Sequence, residues 1–129
     1  MKRAIEWFVA LTSLIISVSH ILRADAWVEV YGLLHRNGRP GAFANGALHL
    51  VPGAAVVAGH GAWSWPGGVL TAFGWVLVVK GLVCFLAPDL ALRSMARAPS
   101  RSGLVVAGVV LLVVGAWSGY CLWRGGGSS

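Results

Sequence analysis

The chain has 129 residues, 57% of them hydrophobic, and only 11% carry a formal charge, as 10 Lys and Arg and 4 Asp and Glu. Soluble domains have about 25% charged residues, and a soluble chain of this length would not bury so much apolar surface. The composition therefore excludes a soluble globular domain and indicates an all-α membrane protein whose apolar side chains face lipid. We expect one domain over residues 1–124, followed by a Gly-Ser tail at 125–129 that resembles a flexible linker or a disordered end.

Four apolar runs follow one another along the chain. A helix needs about 20 mostly apolar residues to cross the hydrocarbon core of a bilayer, and lipid cannot hydrogen-bond an open backbone. Only Glu6 and Lys80 among the charged residues fall inside the runs. A cleavable signal peptide over the first run is a competing interpretation, which Glu6 inside that run disfavours. We therefore predict four transmembrane helices, at Ala4–Leu22, Ala42–Trp63, Val69–Ala87 and Gly103–Trp123.

Two longer loops, at 23–41 and 89–102, separate these helices. Over Ala26–His35 and Leu90–Ala98 they alternate apolar and polar residues at roughly the helical period, which predicts short helices on the membrane surface. Lys and Arg collect on the cytoplasmic side of membrane proteins. We therefore expect both loops in the cytoplasm and both termini outside, although the basic pair at residues 2–3 favours the opposite orientation. Anionic lipids are expected partners of the Arg residues in these loops, which are Arg23, Arg36, Arg39, Arg93, Arg97 and Arg101.

The two longer loops share sequence patterns at both ends. The pattern R-x-G-x4-G that starts at Arg39 recurs at Arg101, and the pattern L-x-x-D that ends at Asp25 recurs at Asp89. A duplicated helical hairpin, with halves related by a pseudo-twofold axis along the membrane normal, explains both matches. Chance similarity between Gly-rich apolar segments also explains them, so both interpretations stay open.

The two charges inside the predicted spans are candidates for function. An ammonium within a span costs about 2.5–3.5 kcal/mol on insertion scales. Lys80 either snorkels to the cytoplasmic interface on its flexible stem or acts as a gate, an anion-attracting site or half of an ion pair. Glu6 is either solvated by headgroups near the opposite surface or faces the bundle level with His60, as a carboxylate–imidazole pair.

Histidines supply the other pore or binding candidates. The spacing of His49 and His60 is close to three full helical turns, which places both rings on one face of the second helix, roughly 16 Å apart along its axis. At that distance they cannot share a metal, but they can mark two levels of a polar track. His20 lies near the cytoplasmic end of the first helix. A single haem held by two histidines is geometrically allowed, but no metal-ligand spacing is present, so we expect no cofactor and no metal.

Aromatic and small residues indicate surfaces. Trp7, Trp63, Trp65 and Trp123 are expected to form an aromatic belt at the outer interface. Small residues spaced four apart let helices approach closely, either within the bundle or between copies in a homo-oligomer. The candidates for such an interface are Gly115, Gly119, Ala55 and Gly59.

One block of the sequence is similar to a known pattern. It comprises Gly59-His60-Gly61-Ala62-Trp63, Trp65-Pro66, Thr71, Gly74-Trp75, Lys80-Gly81 and Pro88. The block resembles a family of small bacterial four-helix membrane proteins without an assigned function, in which Asn usually stands at the position of Gly61. The resemblance implies four transmembrane helices in a bacterial inner membrane and singles out His60, Trp63, Trp75 and Lys80, but it implies no reaction.

Three functions are compatible with these features. The first is a small oligomeric channel or transporter for an ion or polar solute, with His49, His60 and Lys80 lining its path. The alternative is a non-catalytic accessory or assembly subunit that docks through small-residue helix faces, and the third is a redox subunit that binds a haem or a quinone. An enzyme is disfavoured because catalytic motifs are missing. The net charge of +6 reflects membrane orientation rather than nucleic-acid binding.

Overall fold

The computed structural model of the chain describes residues 1–97 and 100–126. Within them, α1, α3, α4 and α6 are each long and apolar enough to cross a membrane. The predicted all-α fold with four such helices is therefore confirmed, and it is compatible with an integral membrane protein. The helices are α1 (Lys2–Leu22), α2 (Ala24–Arg36), α3 (Arg39–Gly59), α4 (Gly68–Leu86), α5 (Pro88–Ala96) and α6 (Arg101–Gly126).

The ends of α3 differ most from the prediction. The helix begins at Arg39, ahead of the predicted start, because Pro40 suits a first helical turn and Gly38 adopts a positive φ of 64° that a residue with a Cβ would resist. It ends at Gly59, before the predicted end, because His60 leaves the helical conformation at φ −127° and ψ 47°. Helical periodicity therefore does not relate the ring of His60 to that of His49.

Helices also occupy both longer loops. α2 and α5 begin slightly before the predicted segments, with Asp25 and Asp89 in their first turns, where a carboxylate stabilises the helix dipole. The predicted second segment extends to residue 98, which lies outside the described residues. α6 continues through Gly126, into the expected tail, and residues 127–129 also lie outside the described part of the chain.

Two helix pairs provide most of the packing: α1 lies against α6, and α3 lies against α4. Glycines allow the backbones to approach. A Cβ added to Gly53 of α3 would lie 2.8 Å from the Cβ of Leu77 and 2.9 Å from the carbonyl oxygen of Gly74. In the other pair, a Cβ on Gly115 would lie 2.9 Å from the Cγ of Leu14. Since lipid supplies no hydrophobic drive between helices, such close contact is what holds them together.

The small residues expected at an oligomer interface have different surroundings. Gly115 and Gly59 both pack against side chains of α1. A Cβ on Gly119 would have no neighbour within 4 Å among the described residues, and Ala55 is half-buried. The small size of Gly115 and Gly59 is therefore used in folding the single chain.

The interior is small and the outside is apolar. One buried cluster, of Val9, Val56, Leu70 and Cys121, lies toward the end of the bundle where α1 begins, α6 ends and the 60–67 turn lies, which we call the termini side. A second cluster, of Ala42, Cys84 and Ala91, lies toward α2 and α5, which we call the short-helix side. Large apolar residues such as Ile15 and Val51 remain 69% exposed, as lipid-facing positions do. The four tryptophans of the expected belt, Trp7, Trp63, Trp65 and Trp123, are also exposed.

Two exposed ion pairs join the halves of the chain on the short-helix side. Arg39 Nε lies 3.3 Å from Asp89 Oδ1, and Arg101 Nη1 lies 3.9 Å from Asp25 Oδ2. The side chains are about two-thirds exposed or more, with fractions of 67% and 66% in the first pair and 72% and 77% in the second. Such exposed pairs contribute little to stability. Their main effect is to orient α5 relative to α3 and α2 relative to α6.

The glycine contacts give a stability prediction. Gly53→Ala should lower the free energy of unfolding by about 1–3 kcal/mol, because the added methyl overlaps backbone and side-chain atoms of α4. The matched change Gly119→Ala adds the same methyl where the described residues leave it room, and should be neutral or stabilising by up to about 1 kcal/mol. Unfolding of both variants in detergent, followed by circular dichroism, measures the difference. Equal stability of the two variants would contradict close packing at Gly53.

Candidate functional site

The structure brings together two of the candidate residues, Glu6 of α1 and His60 at the end of α3. The Nε2 atom of His60 lies 3.1 Å from Glu6 Oε1. The His60 side chain is 1% exposed and the Glu6 side chain is 13% exposed. Glu6 therefore faces the bundle, so the interpretation in which headgroups solvate it is replaced by the carboxylate–imidazole pair.

Thr71, in the first turn of α4, holds the chain in the conformation that presents His60. Its Oγ1 lies 2.6 Å from the carbonyl oxygen of His60 and 2.7 Å from that of Ala62. These carbonyls lie where α3 has just ended. The carbonyl of His60 also accepts from the backbone N–H of Ala62 at 2.6 Å, whereas Thr71 is the hydrogen-bond partner that the described residues give to the carbonyl of Ala62. The buried hydroxyl of Thr71 thus fixes the turn that carries the imidazole.

The same hydroxyl also lies beside the ring of His60. A threonine hydroxyl has one proton, and Thr71 donates it to the carbonyl oxygens of the turn. Its Oγ1 also lies 3.3 Å from Nδ1 of His60, within hydrogen-bonding distance. A second hydrogen bond joins the other ring nitrogen, Nε2, to Glu6 Oε1 at 3.1 Å, and its proton lies between the imidazole and the carboxyl group. The site therefore holds one proton shared between two elements of the bundle.

α6 completes the site from the opposite side. Ser118 donates from Oγ to the backbone oxygen of Glu6 at 2.6 Å. Trp117 donates from its indole Nε1 to the backbone oxygen of Pro66 at 3.0 Å. α6 therefore contacts both α1 at Glu6 and the 60–67 turn, which fixes the two sides of the proton-sharing pair.

A pocket of about 330 Å³ opens next to the pair on the termini side. Its volume lies within the range of small-molecule sites, about 300–1,000 Å³. Glu6 and the buried His60 form its floor, while Lys2 and Arg124, both exposed, lie at its mouth. Trp65 contributes to its wall. We refer to this cavity as the termini-side pocket.

The other three candidates lie elsewhere. His49 is half-buried on α3, with Nδ1 2.7 Å from the carbonyl oxygen of Asn45. Lys80 is exposed on the surface of α4. Among the hydrogen bonds and ion pairs of the described residues, none joins His49, Lys80 or His20 to the Glu6–His60 pair.

His20 belongs to the packing of α2. Its ring is buried, with Nδ1 2.9 Å from the carbonyl oxygen of Ile16, and it stacks on Trp27 at a centroid distance of 4.0 Å. Trp27 in turn donates to Ser19 Oγ at 2.9 Å. Further along α2, burial raises the pKa of the Tyr31 phenol. These contacts place one face of α2 against the bundle. They account for the burial of the His20 ring by packing and hydrogen bonding.

Four residues of the site were not among the sequence candidates: Thr71, Ser118, Lys2 and Arg124. Thr71 was visible only as part of the family pattern, because hydroxyls in apolar helices commonly bond their own backbone. Lys2 entered the sequence analysis only as part of the basic pair at residues 2–3, and Arg124 did not enter it. The antiparallel packing of α1 on α6 brings these two residues to the same end of the bundle. No group of three His, Cys, Asp or Glu side chains able to hold a metal occurs within the described ranges.

Fold and site together define a class: a helical protein compatible with the membrane, with a proton-sharing pair beside a pocket at one end of the bundle. Compared with known proteins, the chain matches no family model, no curated protein and no solved structure. What supports a function is therefore the geometry of this site.

The role of Thr71 gives a second prediction. Thr71→Val keeps the shape of the side chain but removes the hydroxyl that pairs with the carbonyl of Ala62 and with Nδ1 of His60, and it leaves the carbonyl of His60 with only its backbone partner. The free energy of unfolding should fall by about 1–3 kcal/mol. Thr71→Ser retains the hydroxyl and should recover most of this loss. Thermal unfolding in detergent compares the three proteins, and a Ser variant as unstable as the Val variant would show that the hydroxyl is not the stabilising group.

Proposed function

We propose that the protein is a proton-linked permeation protein, which admits a small ion or polar solute at the termini-side pocket. The observation that carries the proposal is the hydrogen-bonded pair of His60 Nε2 and Glu6 Oε1, 3.1 Å apart beside the pocket. Groups that exchange a proton within a bundle are typical of transport pathways. The pair lies at the floor of an open pocket, where solvent and solute have access to it.

Loss of the shared proton would change the contact between helices. When the remaining imidazole proton is on Nδ1, Nε2 and Oε1 then face each other as two acceptors at 3.1 Å, and two lone pairs at that distance repel. Because one atom belongs to α1 and the other to the turn after α3, deprotonation favours their separation. A proton at this site thus biases two arrangements of the bundle, which is what coupling requires.

The route beyond the pocket is proposed to pass His49 and Lys80. Both lie on the α3–α4 pair, and Lys80 is exposed at a depth where lipid solvates an ammonium poorly. A homo-oligomer that covers Lys80 would enclose such a route. The same exposure supports the alternative function, an accessory or assembly subunit, since a different membrane protein would cover Lys80 equally well.

Membrane placement follows the charge pattern. We propose a bacterial inner membrane, with the Arg-bearing loops 23–41 and 89–102 in the cytoplasm. The termini-side pocket then opens to the outside. α2 and α5 would lie on the cytoplasmic membrane face, where their arginines meet anionic lipid headgroups.

We also propose that the chain is a duplicated hairpin. The pairs Arg39–Asp89 and Arg101–Asp25 are the same contact with the two halves exchanged. The helix pairs α3–α4 and α6–α1 are likewise equivalent under this exchange.

The glycine contacts agree with the exchange. The nearest side chains to a Cβ on Gly46 belong to Cys84 and Phe85, and those near a Cβ on Gly108 belong to His20 and Ile21. In each case the neighbours are two adjacent residues at the same distance before the L-x-x-D pattern. This correspondence of contacts supports the duplicated hairpin over chance similarity of sequence.

Proton uptake into proteoliposomes tests the function. Under a potassium diffusion potential, vesicles with the wild-type chain should acidify faster than protein-free vesicles, as followed by an internal pH-sensitive dye. Glu6→Gln and His60→Gln should each slow this uptake at least about tenfold, because each removes one partner of the proton exchange. Lys80→Met should also slow it if the route passes α4.

His35→Gln is the matched control, because His35 is exposed on α2 and lies outside the site. It should leave the uptake unchanged. Wild-type vesicles no faster than protein-free vesicles would contradict permeation and favour the accessory subunit. Unchanged uptake in folded Glu6→Gln and His60→Gln proteins would exclude the pair from the pathway.

A further inference from the structure

Glu6, at the floor of the termini-side pocket, has one carboxylate oxygen, Oε2, without a hydrogen bond to a described residue. Glu6 Oε1 is engaged by His60 Nε2, and this is the only hydrogen bond of the Glu6 side chain among the described residues. No buried side-chain oxygen or nitrogen in the described part of the chain lacks a partner, so Oε2 is accessible, and Glu6 lines the pocket. A carboxylate oxygen in this position accepts a hydrogen bond from a ligand.

The mouth of the same pocket offers two cations. Lys2 comes from the first turn of α1, and Arg124 comes from the last turns of α6, where its guanidinium lies 5.6 Å from the centre of the Tyr120 ring. Neither forms an ion pair with another described residue. Their ammonium and guanidinium groups are therefore open to an anionic group of a ligand.

The wall between mouth and floor is apolar. Trp65 and Pro66 line it, and Trp65 packs edge-on against Trp117 at a centroid distance of 4.8 Å. Such a wall accommodates the short carbon linker of a small molecule and holds no charge. The pocket therefore combines two exposed cations, apolar side chains and a carboxylate oxygen in its lining.

We infer that this pocket binds a small zwitterion, with its anionic group between Lys2 and Arg124 and its ammonium group donating to Glu6 Oε2. A simple cation would meet two like charges at the mouth, and a simple anion would meet the free carboxylate oxygen at the floor. A zwitterion satisfies both ends. The inference names the ligand class of the pocket in the proposed function and rests on that function.

Two sources supply this chemistry: a free compound such as an amino acid or phosphoethanolamine, and the headgroup of an ethanolamine phospholipid in the same leaflet. Both carry an N–H donor and an oxyanion separated by a short linker. Phosphocholine is the matched control compound, because it keeps both charges but has no N–H group to donate to Glu6.

Binding to the detergent-purified full chain tests the ligand class by isothermal titration calorimetry. Phosphoethanolamine should bind at least about tenfold more tightly than phosphocholine, ethanolamine or inorganic phosphate, as loss of a charge-assisted hydrogen bond predicts. Inorganic phosphate binding as tightly as phosphoethanolamine would overturn the inference in favour of a plain anion site. Absence of binding by every zwitterion, free or lipid, would overturn it altogether.

Variants of the protein test the contacts of the ammonium group and of the anionic group separately. Glu6→Gln should bring phosphoethanolamine down to the affinity of phosphocholine, whereas Arg124→Met and Lys2→Met should weaken both compounds. Glu29→Gln and Arg36→Met, which change exposed residues of α2, are the controls and should bind as the wild type does. If Lys2→Met and Arg124→Met both bind normally, the cations do not contact the ligand and the inference fails, whatever the stability of Glu6→Gln.

Native mass spectrometry distinguishes the sources. Chains from nanodiscs that contain equal amounts of phosphatidylethanolamine and phosphatidylcholine should retain the former if the headgroup is the ligand, and Arg124→Met should lose it. Retention of neither lipid, together with tight phosphoethanolamine binding, assigns the site to the free compound. Proton uptake that still depends on Glu6 and His60 without zwitterion binding would reject the ligand class alone, and zwitterion binding without uptake would reject the permeation function alone.

Discussion

The structure depends on the close approach of helix backbones within two pairs, α1 with α6 and α3 with α4. In lipid, apolar side chains gain nothing by moving from the bilayer to the protein interior, so van der Waals contact must supply the cohesion. Glycines such as Gly53 and Gly115 provide it by removing the side chain that would hold the helices apart. Buried clusters stay small for this reason, and large apolar side chains remain outside without cost.

The candidate site lies where the two pairs meet. Glu6 belongs to the α1–α6 pair, and His60 and Thr71 belong to the α3–α4 pair. The hydrogen bond between Glu6 and His60 therefore connects the two pairs, next to the contact of Gly59 with Ile5 of α1. Polar bonds between transmembrane helices contribute only about 0.6 kcal/mol on average. A polar contact of this strength between the two helix pairs can break and form again. Its donor and acceptor geometry restores the same arrangement each time. That combination suits a site whose proton state biases the arrangement of the bundle.

Part of this could be predicted from the sequence. The four long helices followed from the placement of charges, because moving a charge into hydrocarbon is costly enough to exclude alternatives. The end of α3 could not be predicted in this way. The apolar run continues to Trp63, but the chain leaves the helix at His60, whose carbonyl oxygen accepts a hydrogen bond from the hydroxyl of Thr71. The hydroxyls could not be ranked either: Thr12 and Ser17 bond their own helix, and nothing local distinguishes them from Thr71. The pairing of Glu6 with His60 was one of two interpretations of Glu6, because the sequence gives the depth of a residue in the membrane but not the direction in which its side chain points.

The polar contacts at the two ends of the bundle differ in their exposure to solvent, and therefore in their response to dissolved salt. On the short-helix side, Arg39–Asp89 and Arg101–Asp25 are exposed, so dissolved salt screens them over a distance of about 8–10 Å. On the termini side, the imidazole of His60 is shielded from solvent, and salt reaches it poorly. Ionic strength therefore weakens the contacts that orient the short-helix side and has little effect on the Glu6–His60 contact at the other end.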